Sequence, residues 1–381
     1  MPHLYITPPE NLPAERWKHD RDPVELIHVH TPERPYYVKI KFIDDALCRL
    51  SLLTTPIDLI LTQHKEILLK VARELRVRVL KSNLGWRLKP DLGTDYLLNE
   101  EKLHSFDWRT DIPKIFEIGC GNGGFLCDHA FRTPGTLHIG AEINGFTLRK
   151  ALRKTARAHL DNIYFIRNNA LHILHYFIPD GSLDIIFINF PDPWEKKRYL
   201  KRRLIQPETL GDFARALKQG GEVRFTTDHR DYAEDTRRHF LGTPFFILLK
   251  QTDDGALPFP TKYEQKWRAA GRQIFQLVFR RTGVPFTPRK DHDRLLPDSL
   301  KIGTERDFSS GDTLQAGDFV CVFKDVYKGP PGDVLDTVIS LGRYRWNVIF
   351  SKESGCLVYD PRTNKKFLTH KIKALLEKLL R

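Results

Sequence analysis

Four glycines, at 119, 121, 123 and 124, follow the apolar stretch Lys114–Ile118, and Glu117 stands two residues before the first of them. Glycines at a strand-to-helix turn let backbone N–H groups and a ligand approach closely, and the helix beyond offers its N-terminus to charge. Glu142 closes the next apolar stretch, about 20 residues on, where an acid can accept from ribose hydroxyls. A second constellation is Pro191-Asp192-Pro193-Trp194. Two prolines fix the backbone around that carboxylate, and the neighbouring indole suits a planar ligand. Asn168 and Asn169 follow a further apolar stretch, and they read equally as turn formers or as contacts to a purine edge.

The glycine turn admits two ligands. Gly119, Gly121 and Gly124 satisfy G-x-G-x-x-G, the pattern of nicotinamide dinucleotide sites. Gly119, Gly121 and Gly123 equally satisfy the G-x-G-x-G turn of S-adenosylmethionine enzymes. Glu117 favours the second. A pyrophosphate would be repelled there, whereas the ammonium and sulfonium of S-adenosylmethionine are cationic.

Two runs of basic residues lie beside these motifs. Arg149, Lys150, Arg153, Lys154 and Arg157 recur at three and four, so they share a helical face. Lys196, Lys197, Arg198, Lys201, Arg202 and Arg203 follow the proline-flanked acid with Tyr199 interleaved. Neither run contains an acid. A charge run is usually a solvated face, but two of them beside a ligand site point to phosphate backbones.

The elements that must position these groups alternate. Lys114–Gly119, Leu137–Glu142, Ile163–Arg167, Leu183–Asn189 and Glu222–Thr227 read as strands; Gly124–Arg132, Phe146–His159, Leu171–Phe177 and Leu210–Lys218 read as helices. Such alternation predicts an α/β fold, a Rossmann-like doubly wound parallel sheet with ligands at the carboxyl ends of its strands. Residues 1–98 read as a small α+β N-terminal domain, with strands at Val24–His30, Tyr37–Phe42 and Leu47–Leu53 and a helix from Pro56 through Arg76. A polar linker is expected over 87–111, giving a central domain of 99–282. Residues 283–381 are turn-rich, carry four strand-like pieces and end on a basic amphipathic helix, Phe367–Arg381. They read as a β-rich, α+β C-terminal accessory domain that could contact RNA.

Composition narrows the class. The 381 residues carry a net charge of +13, 41% apolar residues and 11% aromatics, enough for real cores and inconsistent with a disordered basic tail. The longest apolar runs are too short to span a bilayer, so no membrane partner is expected. Met1–Glu10 lacks a charged stretch followed by an apolar one, so no signal peptide is expected either. Five cysteines, an odd number with no C-x-x-C, indicate neither a disulfide framework nor a zinc knuckle, and the histidines form no H-E-x-x-H. His28 and His30 share one strand face, which reads as a polar face before it reads as a metal pair. The expectation is a cytoplasmic protein with no metal; nothing in the sequence specifies an oligomeric state.

Taken in order, the motifs resemble one family. Glu117-Ile-Gly-Cys-Gly-Asn-Gly, Ile139-Gly-Ala-Glu142, Phe190-Pro-Asp-Pro-Trp-Glu-Lys-Lys-Arg198, Arg203-Leu-Ile-Gln-Pro-Glu208, Leu217-Lys-Gln-Gly-Gly221, Thr226-Thr-Asp228 and Thr261-Lys-Tyr-Glu264 resemble the bacterial tRNA (guanine-N7-)-methyltransferases. These are class I S-adenosylmethionine-dependent enzymes, and the likeness spans about residues 112–282. The F-P-D-P-W-x-K-K-R string and the late T-K-[FY]-E are the specific parts. The resemblance implies that Glu117, Gly119, Gly121, Glu142, Asn169 and Asp192 line the cofactor site, with Asp192 also the catalytic residue. It implies that Lys196, Asp228, Thr261, Lys262, Tyr263 and Glu264 hold the guanine. Arg149, Lys150, Arg153, Lys154, Lys197, Arg198, Lys201, Arg202 and Arg203 are the expected RNA contacts. The family usually carries Asp where this chain has Asn169, whose amide oxygen can still accept from adenine N6–H.

The implied reaction is methyl transfer from S-adenosylmethionine to N7 of a guanine in the variable loop of tRNA. Competing readings are the same chemistry on ribosomal RNA, a nicotinamide-dependent oxidoreductase, and an RNA-binding module on an inactive methyltransferase fold.

Overall fold

β2 (Lys114–Ile118) and β3 (Leu137–Ala141) are buried along their whole length, as strands covered on both faces must be. They lie at the centre of an eight-stranded sheet completed by β1 (Leu97–Leu98), β4 (Ile163–Ile166), β5 (Leu183–Asn189), β6 (Leu217–Thr227), β7 (Phe246–Thr252) and β8 (Phe275–Arg281). The order is β7-β8-β6-β5-β2-β3-β4-β1. All pairs from β1 to β6 are parallel. β8 runs antiparallel to both β6 and β7.

This is a computed structural model. It describes residues 3–13, 16–30, 35–53, 61–83, 93–108, 110–255, 257, 262–286, 295–296, 299–330, 332–342, 344–359, 364 and 368–380, without the side chains of residues 30, 35, 61–63, 94, 101, 262 and 263.

The helices of the sheet are α1 (Glu100–His104), α2 (Gly124–Arg132), α3 (Gly145–Ala158), α4 (Ala170–Tyr176), α5 (Pro207–Ala216), α6 (Arg230–Leu241) and α7 (Lys262–Ala269). α3 shows why they form. Leu148, Ala151, Leu152 and Thr155 recur at three and four and are buried, and Asn144 caps the helix by accepting from the Phe146 and Thr147 N–H groups. α5 begins with Pro207, whose missing N–H costs nothing in the first turn.

The chain runs outward from β2 through β3 to β4, then returns across β2 to β5. The connections therefore leave β2 and β5 in opposite directions, and a crevice opens at their carboxyl ends. Residues 87–111, expected as a linker, belong in part to this sheet. Leu97 and Leu98 are buried and pair with Phe165 and Ile166, and Asn168 donates to Glu100 at 2.9 Å.

The chain divides into two compact units, Asp91–Arg289 and a second made of Met1–Pro90 with Lys290–Arg381. Separate N- and C-terminal domains were expected; the structure instead joins the two ends in one twelve-stranded sheet. The joining strand, Arg16–His19, was not read from the sequence. It pairs with Val24–His30 on one side and with Phe319–Lys328 on the other. Trp17 donates to the Gly332 carbonyl at 2.7 Å, and Lys39 pairs with Asp325 at 3.4 Å. A helix at Leu61–Glu74 covers the N-terminal strands, with Leu68, Val71 and Ala72 in their core. The terminal helix, His370–Leu380, buries Ile372, Leu376 and Leu380. Among the described residues no helix is long and apolar enough to cross a membrane, and no cluster of metal-ligating side chains occurs.

Candidate active site

Five adjacent parallel strands deliver side chains to one edge of the sheet. In the order β4, β3, β2, β5, β6, that edge carries Asn169, Glu142, the Glu117–Gly121 turn, Asn189 with Asp192, and Asp228. Strands lie ~4.8 Å apart, so the row is roughly 19 Å long.

The glycine turn is open to a ligand. Gly119 and Gly121 have φ of 72° and 56°, where a side chain is strained, and a Cβ on either would meet no atom within 4 Å. Gly123 is glycine for a different reason: a Cβ there would come within 2.7 Å of the Ala151 Cβ on α3. Cys120, between the open glycines, turns inward onto Gly140. Glu142 accepts from the Gly121 N–H at 3.1 Å and the Asn144 N–H at 2.7 Å, which fixes its carboxylate beside the turn. Ile143, next to it, is 70% exposed and offers an apolar face at the same edge.

Glu117 is 2% exposed. Its Oε1 accepts from Asn189 Nδ2 at 3.0 Å, while Glu117 Oε2 and Asn189 Oδ1 are buried without hydrogen-bond partners among the described residues. Burial pushes the Glu117 acid up to about 7; the Asn189 hydrogen bond opposes the rise and the Glu142 charge adds to it. Two orphan acceptors at a buried carboxylate fit an ammonium and repel a pyrophosphate. Asn189 escaped the sequence reading because an Asn ending a strand is commonplace.

Asn169 is exposed and caps α4, its Oδ1 accepting from the Leu171 N–H at 2.9 Å. One lone pair of the amide oxygen is thus committed locally, and the Nδ2 faces no such demand from the cap.

Residues 111–277 match the family model described as "Putative methyltransferase". The chain is 37% identical to a tRNA (guanine-N(7)-)-methyltransferase of Chromobacterium violaceum over half of this chain and 85% of that protein. It is 32% identical to that of Neisseria gonorrhoeae over 60% of this chain and 97% of that protein. With that of Aquifex aeolicus it shares 35% identity over 46% of this chain and 59% of that protein. The chain belongs to the tRNA (guanine-N(7)-)-methyltransferase family.

The F-P-D-P-W string that marks this family sits directly past β5. Asp192 is exposed, and the residues on either side of its prolines, Phe190 and Trp194, have φ of 51° and 45°. Both lie in the left-handed region that non-glycine residues avoid. The turn is tied down at several points. The Phe190 N–H donates to the Thr226 carbonyl at 2.8 Å, and His229 lies 3.9 Å from Glu195. The Arg202 guanidinium stacks 5.1 Å from the Trp194 ring and 4.6 Å from Tyr199.

Asp228, past β6, pairs with Arg272 at 2.6 Å, a partner the sequence did not reveal, and the Arg272 guanidinium lies 4.1 Å over Trp267. Lys196 is exposed at the start of the 3-10 segment Lys197–Arg202. Thr261 and the side chains of Lys262 and Tyr263 lie outside the described residues. Glu264, expected against the guanine, is 1% exposed. Its carboxylate accepts from the Leu257 N–H at 3.2 Å and pairs with Arg268 at 3.0 Å, so it ties Leu257 to α7.

The basic runs also divide. Lys197, Arg198, Lys201 and Arg202 are exposed, as is Lys150; Arg149, Arg153 and Lys154 are half-buried on α3. Arg203, expected among the RNA contacts, is 3% exposed and points inward, donating to the Pro193 carbonyl at 2.8 Å and to Asp235 at 3.0 Å. In the sequence it is one more cation in the run; the carbonyl and the carboxylate that draw it inward are visible only in the fold. A cavity of about 820 Å³ lies at the opposite, amino end of the sheet, lined in part by Trp108, Lys114 and Lys218. The Lys114 ammonium donates to the Thr110 and Ile112 carbonyls.

Proposed function

We propose that the protein transfers a methyl group from S-adenosylmethionine to N7 of a guanine in tRNA, with the reaction centred at the carboxyl ends of β2 and β5. The observation that carries this reading is the order of side chains along the sheet edge. Asn169 would meet the adenine, Glu142 the ribose hydroxyls, Gly119 and Gly121 the open backbone beside the cofactor, and Glu117 with Asn189 the ammonium. Asp192 and then Asp228 follow, so the base lies next to the methionine end. S-adenosylmethionine, when bound, supplies an electrophilic methyl group on a sulfonium.

The chain's own task is placement and charge. Neutral guanine N7 carries a lone pair and no proton, so no general base has to remove one before attack. The base has to be held with N7 in line with the methyl, and water has to be kept out. Asp192 is rigidly presented between two prolines and would accept from guanine N1–H and the N2 amino group, where it stabilises the positive charge that reaches the purine ring. Lys196 lies on the same segment, and Asp228 borders it through the Glu195–His229 contact. The family resemblance adds Thr261, Lys262 and Tyr263 to the proposed base site. Lys197, Arg198, Lys201, Arg202 and α3 would follow the RNA backbone on either side, with the target base drawn out of its stack.

The test is Asp192→Ala. Loss of methyl transfer with unchanged melting temperature, at saturating S-adenosylmethionine, supports the assignment. An active variant removes Asp192 from the chemistry.

A further inference from the structure

We propose that Arg203 is a positioning residue for Asp192: its buried guanidinium, braced by Asp235, holds the Pro193 carbonyl and so fixes the orientation of the turn that presents the carboxylate. The proposal rests on the methyl-transfer reading above.

The two prolines restrain the backbone around Asp192 but do not hold the ends of the turn. Phe190 and Trp194 both sit at positive φ, and such residues persist only where surrounding contacts over-determine them. Prolines 191 and 193 have no N–H, so Pro193 can be tied only through its carbonyl. Arg203 ties it. Nε donates to that oxygen at 2.8 Å, and Nη1 reaches Asp235 on α6 at 3.0 Å. The guanidinium lies 4.6 Å over the ring of Tyr232, one helical turn before Asp235, and the Tyr232 hydroxyl accepts from the Leu204 N–H at 3.2 Å. One planar fork thus connects the turn to a buried helix face. The Phe190 N–H to Thr226 carbonyl bond anchors the start of the turn, and the other side-chain ties are more exposed: Glu195 is 71% exposed where it faces His229, and Arg202 lies on the surface.

Asp235 is matched to this task. Burial pushes its acid up, but the hydrogen bonds from Arg203 and Arg238 outweigh it and hold the carboxyl below its usual range. It therefore stays ionised and keeps the guanidinium in place. A lysine at 203 would keep the charge but could not make both directed bonds. A phosphate contact is a poor account of Arg203, because its side chain is 4% exposed.

The experiment compares Arg203→Lys, Arg203→Ala and Asp235→Asn in the full chain, measuring kcat and KM on tRNA, the salt dependence of tRNA binding and thermal melting. Positioning predicts that Arg203→Lys melts close to wild type, binds tRNA with unchanged affinity and salt slope, and loses roughly tenfold or more in kcat. Asp235→Asn shifts kcat in the same direction, and the double variant is no worse than the worse single. If Arg203→Ala does not fold, the other two variants decide. A variant with wild-type kcat but weaker binding and a salt slope lower by about one makes Arg203 a phosphate contact and overturns the proposal. So does a kcat that falls only with the folded fraction. Wild-type protein that makes no N7-methylguanosine overturns the reading and the proposal together; an active wild type with an unaltered Arg203→Lys kcat overturns the proposal alone.

Discussion

Asn189 donates its Nδ2 to Glu117 Oε1 at 3.0 Å, across the carboxyl ends of two neighbouring parallel strands. The contact leaves the second oxygen of a buried carboxylate and the amide oxygen beside it unsatisfied among the described residues. Burial pushes the Glu117 acid up to about 7. An acid that is weaker in the folded than in the unfolded chain takes up a proton on folding. Its stabilising contribution is therefore full below its ordinary value of 4.5 and is lost as pH rises through about 7. Ligand binding runs the other way, because an ammonium needs the carboxylate. S-adenosylhomocysteine affinity should weaken below pH 7, by up to about tenfold per pH unit, and Glu117→Gln should bind weakly with little pH dependence. The same variant should melt higher than ligand-free wild type at pH 8. Calorimetric titrations across pH 5.5–8.5 check the first expectation and melting curves the second; a Glu117→Gln protein with wild-type pH dependence contradicts it.

Gly121 and Gly123 are two residues apart and should fail differently. An alanine at 121 meets open space, so its cost is the left-handed backbone, roughly 1–2 kcal/mol, together with occupation of the ligand's approach. An alanine at 123 pays the same backbone cost and also collides with Ala151 on α3. Gly121→Ala should lose more cofactor affinity than stability, and Gly123→Ala more stability than affinity. Melting temperature and S-adenosylhomocysteine affinity, measured on both, check the contrast.

Glu264 should act on the fold. Removing the carboxylate leaves the buried Leu257 N–H without its acceptor, at a cost of about 1–3 kcal/mol, while the Arg268 side chain it also holds is 36% exposed and can turn to water. Glu264→Ala should melt several degrees lower, and below its transition it should bind tRNA as wild type does. A folded variant with normal stability and lost binding would return Glu264 to the substrate.

What could be read in advance was local. The glycine turn, the proline-flanked acid and the alternation from Lys114 to Thr227 are patterns of a few residues each, and their elements recur in the structure. The strand Arg16–His19 could not be read, because it is too short to show a period and its partner Phe319–Lys328 is some three hundred residues away. The end regions were separated for that reason. The buried partners of Arg203 and Glu264 were hidden on the same physical ground. A charged letter does not say whether its side chain meets water or a buried partner, and Pro193, Asp235, Leu257 and Arg268 are brought to them only by folding. Asp228 lacked Arg272 likewise.

The exposed cations should govern RNA affinity. If Lys197, Arg198, Lys201 and Arg202 neutralise phosphates, tRNA binding should fall linearly on a log–log plot against salt, with a slope of roughly −0.7 to −0.9 per phosphate. Each alanine replacement should lower the slope by up to about one, while Arg203 replacements leave it unchanged. Binding isotherms between about 50 and 200 mM salt provide the slopes.

The central claim is that this sheet edge methylates guanine N7 in tRNA. The most direct test incubates purified protein and S-adenosylmethionine with unmodified tRNA and maps N7-methylguanosine by chemical cleavage and mass spectrometry. The account predicts modification at a single guanine in the variable loop, absent with Asp192→Ala. Methyl transfer to another atom or another RNA, or none to tRNA, would contradict it.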